Sequence, residues 1–158
     1  MRQNNFLINT VFRDITFFGS FVFCGVALLV IAILNFGLFV RSALTLAAVE
    51  AVCGAIKLAY QKERPLPERK DTELPQLLQK WSSNSFPSVH SARAAALAVS
   101  LLNLYMHDKM LVGVVVITIG ALGYSRIYLK KHYWIDVVAG LAIGVFFGII
   151  GMKILNWE

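Results

Sequence analysis

The sequence predicts an all-α fold, a polytopic transmembrane helical bundle of about five spans plus a short interfacial helix, and three observations predict it. First, 58% of the 158 residues are hydrophobic and the mean hydropathy is +0.66, far above a soluble globular average. Second, the apolar residues are gathered into runs long enough to cross a bilayer, which takes about 20 residues as a helix. Third, the charged residues fall mainly between those runs rather than alternating with them, so no strand-like period of two competes. By length the chain makes one domain, residues 1–158, with no repeat or low-complexity tract.

The first apolar run covers residues 15–40, broken only by small or uncharged polar residues, and gives a span ending near Phe36. It follows Arg2 and Arg13 but is too long for a signal-peptide core and lacks a convincing cleavage site, so it is expected to be retained. Arg41 separates it from a second span over 42–60. Glu50 and Lys57 interrupt that span. Charge at such depth is expensive in hydrocarbon, which predicts that Glu50 pairs with a neighbouring helix and that Lys57 lies near the water boundary.

Residues 61–86 are polar and hold three of the four prolines, a loop by composition. Within it Leu74, Leu77, Leu78 and Trp81 recur at helical spacing, predicting a short helix lying in the interface with Trp81 at headgroup level. Pro87 and Ser88 open a third span reaching about Met106, whose many alanines permit close helix approach. His107, Asp108 and Lys109 make a polar turn before a fourth span, 110–129. The fifth runs over 134–155 and carries Gly140, Gly144, Gly148 and Gly151 at spacings of four and three, a small-residue packing stripe. Cys24 and Cys53 sit singly in apolar runs, as small buried residues rather than a disulfide or metal site.

Counting sides puts the N-terminus and the loops after the second and fourth spans on one membrane face. Three clusters of reactive residues converge there. Lys57 ends the second span and Arg64 follows in the loop. Pro87-Ser88-Val89-His90 supplies a helix start, whose free N–H groups and dipole favour an anion, together with a hydroxyl and an imidazole. Arg126, His132 and Asp136 lie within twelve residues of one another, and the four-residue spacing of the last two would let the carboxylate accept a proton from the ring and fix its tautomer. The net charge of +6 suits anionic headgroups or a phosphorylated substrate, and no groove-reading motif points to nucleic acid.

Together these residues could perform phosphoryl transfer. Lys57, Arg64 and Arg126 would neutralise the phosphate, and Ser88 with the Val89 and His90 amides would bond its oxygens. His132 would attack phosphorus, Asp136 would orient and stabilise it, and His90 would protonate the departing oxygen and later activate water. No cofactor or metal is called for, because a divalent site would want more convergent His, Cys or carboxylate ligands. Each residue alone has a plainer explanation, as headgroup contact or helix-end hydrogen bond. Their joint spacing is what points to a site.

These motifs closely resemble the three signature motifs of the type 2 phosphatidic acid phosphatase superfamily, which also includes vanadium haloperoxidases. The matching stretches are Lys57 with Arg64-Pro65, Pro87-Ser88-Val89-His90, and Arg126 with His132 and Asp136, in the family's order over residues 57–136. The resemblance implies the same roles for these seven polar side chains. Val89 stands where the family usually has glycine, and five spans are counted where membrane members commonly have six.

The expectation is therefore an integral-membrane lipid-phosphate phosphatase working through a phosphohistidine, a bacterial member by its small size. The loop between the first two motifs is short and no lid domain exists, which favours a bulky headgroup such as lipid A 1-phosphate. Undecaprenyl diphosphate, phosphatidylglycerol phosphate and phosphatidic acid are the alternatives, and a lipid-phosphate transporter or flippase is the competing class. Bacterial relatives of this kind place the site at the periplasmic face of the cytoplasmic (inner) membrane. The positive-inside rule argues the reverse, since only Arg41, Lys109 and Lys153 lie on the opposite face.

Overall fold

A computed structural model describes residues 2–66, 83–105 and 108–154. Six helices account for most of them: α1 (Arg2–Phe17), α2 (Phe21–Leu34), α3 (Phe36–Ala59), α4 (Val89–Tyr105), α5 (Lys109–Tyr128) and α6 (Trp134–Ile154). The interfacial helix expected near residues 72–81, with Trp81, and the turn residue His107 lie outside the described residues.

The helical membrane bundle expected from composition is observed. Phe36–Ala59, Lys109–Tyr128 and Trp134–Lys153 are each long and apolar enough to cross a bilayer. The pair Leu7–Phe17 and Phe21–Leu34 passes that test jointly, bent by 44°, and Val89–Leu102 is a shorter apolar helix. These correspond to the five apolar runs, but the first boundaries move. The first run is broken twice, at Ser20 and at Asn35, and Arg41 is no boundary.

Ser20 accepts a hydrogen bond at Oγ from Phe23 N at 3.1 Å and so caps α2. Asn35 ends α2 through its own N–H, 2.7 Å from Ile31 O, and starts α3 by accepting from Leu38 N at Oδ1, 2.8 Å away. A single residue thus satisfies an orphan group on each side of the junction, one through its backbone and one through its side chain. Arg41 stays inside α3, its Nε donating to Gly37 O at 3.3 Å, because a long side chain can carry its charge along the helix to the interface.

The centre of the bundle is α4, which packs on α2, α3, α5 and most extensively on α6. The glycine stripe explains that last contact. A Cβ at Gly140 or Gly144 would collide with the carbonyl oxygen of Ser88 or Ala92, and one at Gly148 would stand 2.7 Å from Val99 Cβ. Without glycine there, α6 could not approach α4 closely enough to bring the motif residues at their ends together. Ala92, Ala95 and Ala96 on α4 are fully buried. At the N-terminal end, α1 lies against α5, where Phe12 stacks on Tyr128 at 4.3 Å between centroids and Thr16 Oγ1 is 2.9 Å from Ser125 Oγ.

Candidate active site

The segment between α5 and α6 builds one side of the site by its backbone. Leu129 caps α5, and Lys130 takes φ 55°, the left-handed conformation that turns a chain off a helix end. Lys131 N donates to Arg126 O at 3.0 Å and Lys130 N to Ile127 O at 2.9 Å. That pair of bonds is the Schellman arrangement. His132 N also donates to Arg126 O, at 3.2 Å. The six-residue spacing of arginine and histidine therefore has a physical reason, since both side chains issue from one hydrogen-bonded turn.

Next to this turn α6 begins. Asp136 N bonds Tyr133 O at 3.0 Å, and Asp136 Oδ2 accepts from Tyr133 N at 2.9 Å, the backward half of a capping box. The loop after α3 docks on the same turn through Leu66 N and Lys130 O, 3.1 Å apart. That contact brings the Arg64 segment over. A third segment of the site, residues 83–88, is tied to both neighbours. Ser85 N donates to Lys62 O at 2.7 Å, Ser85 Oγ to Lys62 O and Glu63 O at 3.2 and 3.0 Å, and Ser88 N to Asp136 O at 2.9 Å.

These connections enclose a cavity of about 160 Å³ lined by Lys57, Arg64, Val89, His90, Arg93, Arg126 and His132. Pockets for whole drug-sized ligands run roughly 300–1,000 Å³, so this one fits a small oxyanion group with the rest of a molecule outside. Both imidazoles expected from the sequence share it. Lys57, Arg126 and His132 are buried while Arg64 and His90 are half-buried. Four cationic side chains around so small a space create a strong preference for an anion.

Two expected contacts differ in this geometry. His132 Nδ1 lies 2.7 Å from Ser85 O but 3.9 Å from Asp136 Oδ2. A carbonyl only accepts, so Nδ1 carries the proton and Nε2 keeps its lone pair. The sequence expectation that Asp136 receives this proton is corrected, because the carboxylate is engaged elsewhere. It caps α6 through Oδ2 and meets Lys62 Nζ at 2.6 Å through Oδ1. Ser88, expected to bond phosphate, is fully buried with its Oγ 3.0 Å from Ser91 Oγ, and it is not among the residues that line the cavity.

Burial, followed by the charges of Arg126, Arg64 and Lys57, holds the His132 imidazole far below its usual pKa; the Ser85 bond opposes this only in part. The ring is therefore held neutral. Lys57 donates through Nζ to the Asn84 carbonyl, and Asn84 Nδ2 returns a bond to Lys57 O at 2.6 Å. This reciprocal pair fastens the end of α3 to residues 83–88.

Four participants escaped sequence reasoning. Lys62 and Asn84 sit in a loop whose polar residues look alike, and Ser85 acts through its backbone. Arg93 was legible in principle. It stands three residues after His90 on α4, hence on the same face, and its Nε bonds Glu50 Oε1 across to α3. The partner expected for Glu50 is thus Arg93. Gly19, at the corner between α1 and α2, also matters, because a Cβ there would be 2.7 Å from His90 O.

The fold and site define an integral-membrane helical protein with a cationic, histidine-bearing pocket of phosphate size. The chain belongs to the PAP2 superfamily, which it matches over residues 38–158. No sequence among the curated proteins matches it significantly. Two crystal structures are similar. One is LpxE from Aquifex aeolicus, 24% identical with a TM-score of 0.75, covering 93% of this chain and 86% of that one. The other is the first transmembrane PAP2-type phosphatidylglycerolphosphate phosphatase from Bacillus subtilis, also 24% identical at 0.75, covering 94% and 76%. At that identity the two structures show a shared fold. Family membership together with this fold supports a membrane lipid phosphatase.

Proposed function

We propose that this protein hydrolyses the phosphomonoester or diphosphate of a membrane lipid through a phosphohistidine on His132. The observation that carries the proposal is the tautomer. With Nδ1 committed to Ser85 O at 2.7 Å, the nitrogen left to the cavity is an unprotonated Nε2 inside a ring of cations.

In the first step Nε2 bonds phosphorus as the bond from phosphorus to the lipid oxygen breaks, and His90 gives that oxygen a proton, which it would take up as the bound phosphate offsets the surrounding cations. Lys57, Arg64 and Arg126 hold the three equatorial oxygens, where charge is spread in the transition state. The amide at Val89 adds a neutral donor from the start of α4. In the second step His90 takes a proton from water, the water oxygen bonds phosphorus, and the Nε2–P bond breaks to release inorganic phosphate. Asp136 sits 3.9 Å from Nδ1, near enough to stabilise the positive ring of the intermediate by charge rather than by hydrogen bond. A contact from Ser88 to phosphate would require its hydroxyl to turn away from Ser91. Residues of this chain supply all the cationic charge in this scheme, so no metal is invoked.

The pocket admits a phosphate group and leaves the remainder outside, which agrees with a lipid whose chains stay in the bilayer. Among substrates, lipid A 1-phosphate is favoured by the short stretch of sequence between the first two motifs, residues 66–86, which leaves room for a bulky headgroup; undecaprenyl diphosphate, phosphatidylglycerol phosphate and phosphatidic acid are the alternatives. The periplasmic face of a bacterial cytoplasmic membrane is the proposed location. The test is phosphate release from each of these lipids in detergent, with His132→Ala as control and with EDTA. Release that His132→Ala abolishes and EDTA leaves intact is expected. EDTA inhibition reversed by a divalent metal would contradict the metal-free scheme, and lipid binding without release would favour a transporter.

A further inference from the structure

Arg93 is the only Lys, Arg, Asp or Glu in the apolar helix α4, and three helices fix where it sits. It rises from α4, its Nε donates to Glu50 Oε1 on α3, and its guanidinium lies 5.5 Å from the centre of the Phe21 ring on α2. The residue is 7% exposed. An ion pair between apolar helices gains little over apolar packing, so holding helices together does not account for it. Arg93 also lines the cationic pocket, with His90. Among the described residues Glu50 is its one hydrogen-bond partner, which leaves the rest of its donor fork to a ligand.

The four cations of the pocket are not equivalent. Lys57, Arg64 and Arg126 come from α3, the loop after it and α5, whereas Arg93 is one turn from His90 on the same helix. Side chains three apart in a helix share a face, with Cβ atoms about 5–6 Å apart. We propose that Arg93 binds substrate on the leaving-group side, giving an N–H to the oxygen that departs from phosphorus, and that Glu50 is the positioning residue that holds Arg93 there. This rests on the lipid-phosphatase reading, in which His90 protonates that oxygen. As the bond from phosphorus to oxygen breaks, its electron pair goes to the oxygen. His90 supplies the proton that ends there, while Arg93 keeps its own protons and stabilises the charge until that transfer is complete. The other three cations serve the equatorial oxygens, so without Arg93 the leaving oxygen would have only the acid.

Varying the leaving oxygen separates this role from a structural one. The substrates are a long-chain alkyl phosphate and its analogue with two fluorines on the carbon next to the one bearing oxygen, which makes the departing oxygen less basic at nearly the same size. Phosphate release in detergent gives kcat/KM for each, a parameter that includes the cleavage step. Losing one donor to a developing oxyanion costs about a hundredfold or more, and a less basic oxygen depends on that donor less. The ratio of kcat/KM, plain over fluorinated substrate, is therefore expected to fall about tenfold in the double variant Arg93→Gln with Glu50→Gln, which strands no charge. It should fall less in Arg93→Lys, which keeps the charge without the fork. Glu50→Ala should lower the ratio more than Glu50→Gln, which still offers an oxygen to Nε. An unchanged ratio in the double variant, whether activity is kept or lost equally on both substrates, would overturn the role of Arg93; should thermal unfolding show that variant to be unfolded, an unchanged ratio in Arg93→Lys does the same. Equal ratios in Glu50→Ala and Glu50→Gln would overturn the role of Glu50. A parent protein that releases phosphate from neither the alkyl phosphates nor phosphatidic acid would overturn the lipid-phosphatase reading itself.

Discussion

The Ser85 carbonyl, not a carboxylate, holds the imidazole of His132: O and Nδ1 are 2.7 Å apart. Ser85 is in turn held by the Lys62 carbonyl, through N–H at 2.7 Å and Oγ at 3.2 Å. Lys62 then reaches back with Nζ to Asp136 at 2.6 Å, passing over the Tyr133 ring at 4.6 Å. A loop residue outside the recognisable motifs thus braces both the proposed nucleophile's support and its neighbouring acid.

Removing that brace leaves a buried carboxylate without its cation. Lys62→Met is expected to destabilise the protein by about 1.5–3 kcal/mol, the range for a hydrogen bond to a charged group; the lower end is favoured because the lysine side chain is 25% exposed. Lys62→Met with Asp136→Asn should recover part of the loss, since no charge is then stranded. Thermal unfolding in detergent of both variants checks this, and an additive double mutant would show that the two side chains do not act as a pair.

Gly19 meets His90 from the corner of α1 and α2. Gly19→Ala forces its new Cβ against the His90 carbonyl, 2.7 Å away, and against His90 Cβ at 3.0 Å. Backbone must move, at a cost typical of overpacking, about 1–3 kcal/mol. The expected outcome is a fall in kcat larger than any change in KM, because His90 is asked to deliver a proton at one point. Steady-state kinetics with a lipid phosphate separate the two parameters.

Stability should also depend on pH through His132. The folded ring resists protonation, by burial first and by Arg126, Arg64 and Lys57 next, whereas an unfolded histidine takes up a proton near pH 6.5. The unfolded state therefore binds more protons below that pH, and stability is lost as pH falls from about 6.5 toward the depressed folded value. The slope for one proton is at most ~1.4 kcal/mol per pH unit. Thermal midpoints measured between neutral and mildly acid pH should fall more steeply for the parent than for His132→Gln.

Much of this arrangement was legible in the sequence, and the parts that were not have identifiable reasons. The motifs could be read because helix geometry and a Schellman turn fix the separation of Arg126 and His132. The glycine stripe of α6 could be read because close approach demands missing side chains. The junctions at Ser20 and Asn35 were hidden in an apolar run, where one capping oxygen outweighs many hydrophobic neighbours. Arg41 misled because a charge near a helix end need not end the helix. The partner of His132 could not be found by spacing at all, since any residue offers a carbonyl and only the fold selects Ser85. Asp136 at four residues' distance was the obvious acceptor, yet capping α6 and pairing with Lys62 claim both of its oxygens.

The central claim is that His132 Nε2 forms a covalent bond to the phosphorus of a lipid phosphate. Its most direct test is to mix the protein with a lipid carrying radiolabelled phosphate, quench rapidly in alkali where a phosphohistidine survives, and locate the label by peptide mapping. Label on the peptide containing His132, absent in His132→Ala and discharged as inorganic phosphate appears, is the predicted result. Turnover of the lipid with no protein-bound label, or label that persists in His132→Ala, would contradict it.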